Sequence, residues 1–92
     1  MVKCVRIVCR CAHSPKMIDA VQKYAQKLSL EGILQIADDK MFVITASGSK
    51  ESIDLFIDGL YKIGSVTHPF SLEIEPFLKD KDYRGVFRVI GK

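Results

Sequence analysis

The sequence predicts an α+β sandwich, an antiparallel sheet carrying two helices on one face. Three observations predict it. Val2 to Cys11 alternates residue character with the period of two that puts successive side chains on opposite faces of a strand. Two later segments, beginning near Pro15 and Ser49, carry apolar residues at three- and four-residue spacing, as a helix that buries one side does. Between and after these segments, short apolar and β-branched runs are divided by polar breaks of hairpin length.

In the first strand, Val5, Ile7, Cys9 and Cys11 share one face, while Cys4, Arg6, Val8 and Arg10 share the other, which the arginines mark as wet. Ser14 can accept from the unpaired N–H groups of a helix start, and Pro15 suits the first helical position because it has no N–H to leave unpaired. The first helix therefore begins at Pro15 or Lys16. Its apolar stripe is Met17, Val21, Tyr24, Ala25 and Leu28, with Lys16, Gln22, Lys23 and Lys27 off it. Leu30 to Ala37 and Met41 to Ala46 read as strands two and three across the break Asp38-Asp39-Lys40. Ser47 or Ser49 caps a second helix with Ile53, Phe56, Ile57, Leu60 and Ile63 on one face, slightly weakened by Gly59 and stopped by Gly64. Phe70, Leu72 and Ile74 then alternate with Ser71, Glu73 and Glu75, and Gly85 to Ile90 forms the final strand after the charged turn Lys79-Asp80-Lys81-Asp82. The order β-α-β-β-α-β is the split βαβ, or ferredoxin-like, arrangement. A single domain over residues 1–92 is expected at this length, and topology alone names no chemistry.

Composition narrows the function classes. An apolar share of 48% against 27% charged residues argues against a disordered chain. The longest apolar runs are strand-sized, and Met1-Val2-Lys3-Cys4 lacks the basic start and long apolar stretch of a secretory signal. No membrane partner and a cytoplasmic location are the expectations. A net charge of +3 falls short of the concentrated basic patch that argues for nucleic acid. The three cysteines, odd in number and crowded on one strand, cannot staple a secreted fold and read as reduced thiols.

The candidate chemistry lies in the strand-to-helix turn. Arg10, His13, Ser14 and Lys16 form a candidate anion-binding set, since cations beside the free N–H groups of a helix start attract phosphate. The bland alternative is a group of solvated side chains beside a capped helix. Cys9, Cys11 and His13 alternate along one strand direction and offer soft ligands to copper or zinc, against the simpler reading of the thiols as small buried residues. The string Tyr83-Arg84-Gly85-Val86-Phe87 has the Arg-Gly-aromatic look of an RNA-recognition strand. It lies on the last strand, however, and strand three offers Met41, Val43 and Thr45 on its open face in place of stacking aromatics. That open face, with Cys4, Arg6 and Val8, is a mixed surface that can be solvated or can meet a partner.

The whole chain also resembles the acylphosphatase-like family. The resemblance is carried by Leu28-Ser29-Leu30-Glu31-Gly32, where that family has a Leu-Gly-Leu-x-Gly run, by the second-helix segment from Ala46 to Leu60, and by the closing Gly85-Val86-Phe87-Arg88-Val89-Ile90. Counting back without a gap, the family's phosphate loop falls on Arg10 to Ile18. The resemblance implies a small anionic ligand, phosphate or acyl phosphate, and no cofactor. In the family an Arg on that loop and an Asn on strand two hold the phosphate and the attacking water. Here those positions are Ile18 and Ile36, the loop glycines have become Arg10 and Ser14, and Pro15 removes a donor. A one-residue slip would bring Gln35 to the Asn position, but would also turn it to the opposite face of the strand. The resemblance with these departures implies a binding or regulatory domain rather than a hydrolase; the alternatives are a hydrolase using substitute residues and a soft-metal site.

Overall fold

The alternation in the first strand becomes the boundary between layers. The computed structural model describes residues 2–12, 14–64, 70–76 and 86–91. In chain order they form β1 (Val2–Cys11), α1 (Pro15–Lys27), β2 (Glu31–Asp38), β3 (Met41–Ser49), α2 (Lys50–Gly64), β4 (Phe70–Pro76) and β5 (Phe87–Ile90). The strands make one sheet in the order β4-β1-β3-β2-β5. Val5, Ile7 and Cys9 stand opposite Ala46, Ile44 and Phe42 of β3, and the same three β3 residues stand opposite Gly32, Leu34 and Ile36 of β2. This face is the core: α1 lies over β2 and β5, and α2 over β1 and β3. The arginines of β1 are exposed on the other face, as the alternation predicts.

Both strands read after the second helix form, so the order runs on to β-α-β-β-α-β-β. The sheet is mixed rather than wholly antiparallel, because β5 pairs parallel with β2 while the other pairs are antiparallel. Chain direction explains this. β4 runs against β1 at one edge, so the strand after it returns in the direction of β1 and β2, and it docks at the far edge beside β2.

The helices are set by their ends. Ser14, in an extended conformation, caps α1 with its Oγ accepting from the Met17 N–H at 3.2 Å, and Pro15 occupies the first turn. At the other end Ser29 N–H donates to Gln26 C=O and Leu30 N–H to Ala25 C=O, both at 3.0 Å, with Ser29 in the left-handed region at φ 58°. That pair of bonds is a Schellman stop, usually built on glycine. Ser49 caps α2, its Oγ accepting from the Ser52 N–H at 3.1 Å, whereas Ser47 is buried on β3.

The stripe predicted for α1 omits one residue. Ile18 is buried together with Val21 and Ala25, while Met17, Tyr24 and Leu28 pack at the margin of the core. Gly59 is buried in α2 beneath Tyr24, and a methyl group there would overlap the tyrosine ring. The glycine that sequence reads as a weakness is the seat on which the two helices meet. No described helix is long and apolar enough to cross a membrane. The expectations for His13, for the loop Ser65 to Pro69, for the charged turn Lys79 to Asp82 and for Tyr83 to Gly85 lie outside the described residues.

Candidate functional site

The start of α1 faces a cleft on the side away from α2. Pro15, Ile18, Asp19 and Gln22 line it from the helix, Ile36 from β2, Asp39 from the β2–β3 turn and Val89 from β5, around a volume of about 470 Å³. Each wall has a local cause. The Pro15 start and the 3.6-residue period bring Ile18 and Gln22 onto the flank of α1 that looks along the sheet. Gln22 Nε2 donates to the Phe87 carbonyl at 3.3 Å and ties that flank to the edge strand. The β2–β3 ladder is irregular between Ile36 and Asp38. The turn beyond is closed by the Lys40 N–H donating to Asp38 Oδ1 at 2.7 Å, an Asx turn that carries Asp39 at its tip.

The two positions at which the family resemblance calls for Arg and Asn therefore do converge, across one cleft, and both are isoleucine. Ile36 stands opposite Phe42 on the helix-bearing face, whereas Gln35 stands opposite Val43 and is exposed on the other face. A slip that would use Gln35 as the missing amide is thus incompatible with the pairing. Among the described residues the cleft's charged groups are carboxylates, Asp19 and Asp39.

The candidate anion set is dispersed. Arg10 leaves β1 on the face opposite the helices, where its Nε meets Glu73 Oε1 at 3.3 Å and Nη1 lies 3.8 Å from Met41 Sδ. Ser14 spends its hydroxyl oxygen on the Met17 N–H, and its carbonyl accepts from the Ile18 N–H at 3.1 Å. Pro15 has no N–H and the Met17 N–H is taken by the Ser14 hydroxyl, so the opening turn offers a ligand fewer donors than an ordinary helix start. Lys16 itself is exposed, and His13 lies outside the described residues.

The thiols are equally separated from the turn surface. Cys9 and Cys11 are buried in the core. Burial, and then the neighbouring Cys11, pushes the Cys9 thiol far up, and burial pushes Cys11 up as well. A ligand thiolate needs the reverse. Cys4 lies on the other face, its Sγ 3.4 Å from Ser47 Oγ. No group of three or more metal-ligating side chains occurs among the described residues.

Sequence reasoning did not single out Asp19, Gln22, Asp39 or Val89. Gln22 and Asp39 carried the generic signals of a helix flank and a turn. Val89 joins them because β5 docks beside β2, which no local pattern announces.

No protein-family model matches the chain, and no curated protein matches it. Solved structures do. An acylphosphatase from Coxiella burnetii superposes with a TM-score of 0.77 at 22% identity, over 96% of this chain and 92% of that one. Full-length HypF, in a phosphate- and nucleotide-bound form, matches 99% of this chain with a TM-score of 0.82 at 19% identity, through only 12% of its own length. A bacterial light-regulated adenylyl cyclase matches at a TM-score of 0.70 and 16% identity, over 99% of this chain and 28% of that one. At these identities the likenesses establish the fold, which is that of the acylphosphatases.

Proposed function

We propose that this acylphosphatase-fold chain is a small binding or regulatory module rather than a hydrolase of acyl phosphates. The observation that carries the reading is the meeting of Ile18 and Ile36 across one cleft. Hydrolysis of an acyl phosphate needs positive charge fixed on the phosphoryl oxygens and a polar group holding the water. Losing one such electrostatic group typically costs about 10² to 10³ in rate. Here both positions are hydrocarbon, and the charged groups beside them, Asp19 and Asp39, repel a phosphate. The free thiols, two of them buried, fit a reducing compartment such as the cytoplasm.

A weak anion site at the opening of α1 is the second reading, favoured by the exposed Lys16 beside the helix start. Its donors are fewer than in a phosphate cradle, and Arg10 is engaged by Glu73 on the other face.

Benzoyl phosphate hydrolysis separates a module from an enzyme. The expected result is no turnover above the uncatalysed background. Turnover that disappears in Lys16→Ala would overthrow the proposal and restore a hydrolase with substitute residues. Phosphate titration followed by amide NMR tests the second reading, and unmoved amides from Ser14 to Met17 would remove it.

A further inference from the structure

The cleft beside α1 has a definite chemistry of its own. It is open to solvent, and its volume, about 470 Å³, is on the scale of small-ligand sites. Pro15, Ile18, Ile36 and Val89 give it an apolar lining, which rewards an apolar body by burial. The two carboxylates come from different walls, Asp19 from the helix and Asp39 from the turn, and no cationic side chain lines the cleft among the described residues. Lys23 meets Asp19 at 3.1 Å, but both side chains are more than half exposed, so the pair is loosely held and an incoming cation can share the carboxylate.

We propose, building on the reading of this cleft as a binding site, that its ligand is a small organic cation: an apolar body bearing one ammonium group. An ammonium offers donors and no acceptor, matching walls whose charged groups only accept. A neutral analogue gains the apolar contact alone. An anion of the same shape meets two like charges.

Three probes of one shape test the assignment on the full chain: 2-phenylethylammonium, 2-phenylethanol and 3-phenylpropanoate, each titrated while amide shifts are followed. The cation should bind most tightly and the carboxylate least, with shifts concentrated at Ile18, Gln22, Ile36 and Val89. Asp39→Asn, at an exposed turn where folding is not at stake, should weaken the cation about fivefold, the upper end for an exposed charge pair, and leave the alcohol unchanged. Asp19→Asn should do the same from the other wall. Equal affinity for the three probes, tighter binding of the carboxylate, cation affinity unchanged in both variants, or no shift at the cleft would each overturn the ligand class. Benzoyl phosphate turnover would instead overturn the module reading beneath it, so the two failures are distinguishable.

Discussion

The two flanks of α1 are built from the same helix and end in opposite states. Towards α2 the surface is closed: Tyr24 lies over Gly59, its Oη donates to the Leu55 carbonyl at 3.0 Å, and its ring stacks on Phe56 with centroids 6.2 Å apart. Phe56 in turn meets Phe87 edge-on at 6.1 Å, so one aromatic joins α2 to both α1 and β5. Towards β2 and β5 the helix presents Ile18 and Gln22 to half-buried Ile36 and Val89, and the gap stays open. The difference lies in side-chain size against backbone separation. A glycine lets one pair of elements approach until a tyrosine fills the seam, whereas on the other flank Ile36 and Val89 pack at the margin of the core and leave a cleft beside Ile18.

The sharpest way to break this contrast is truncation on each flank. Phe56→Ala should destabilise the chain by about 3–5 kcal/mol, because a fully enclosed site is emptied and cannot collapse. Ile36→Ala should cost only about 1 kcal/mol, since its side chain is half-buried beside space that is already open. Urea denaturation measures both. Equal losses would mean that the cleft is closed in solution. A smaller effect sharpens the account of the seam. Gly59→Ala gains about 1 kcal/mol of helix propensity but forces the new methyl against the Tyr24 ring, and overpacking of that kind typically costs about 1–3 kcal/mol. Net destabilisation of about 1 kcal/mol is expected, and its sign should reverse in a Tyr24→Ala background. Without reversal, the glycine would be held by something other than the tyrosine.

How much of this was legible in the sequence follows the range of the interactions concerned. The faces of β1, the Ser14-Pro15 start and the Asp38-Asp39-Lys40 turn rest on patterns within a few residues, and each stands as read. Ile18 stands three and seven residues before Val21 and Ala25, so the helical period itself carries it, and a stripe begun at Met17 passes it over. Arg10 and Lys16 are close in sequence, yet a strand and a helix start point them to different sides of the sheet, so proximity along the chain misled. The cleft was half legible. Ile18 and Ile36 could be paired through a family resemblance, but Val89 joins them only because the final strand crosses to the far edge and lies parallel to β2.

The closed half of the molecule can also be read through a proton. Cys9 lies on β1, the strand over which α2 packs, and burial holds its thiol far above the ordinary value of 9.0. In the unfolded chain that thiol ionises as pH passes about 9, while in the folded chain it keeps its proton. The unfolded state then binds fewer protons, and stability falls as pH rises. The loss is absent below pH 8 and reaches roughly 1 kcal/mol from Cys9 alone by pH 10. Cys11, raised by burial in the same sense, steepens the fall. Urea midpoints at pH 8 and pH 10, compared between the parent and Cys9→Ala, isolate the contribution: the variant starts less stable but should lose less on going to the higher pH. Identical losses in the two proteins would mean that water reaches Cys9, and that the half of the sheet beneath α2 is no drier than the cleft beside α1.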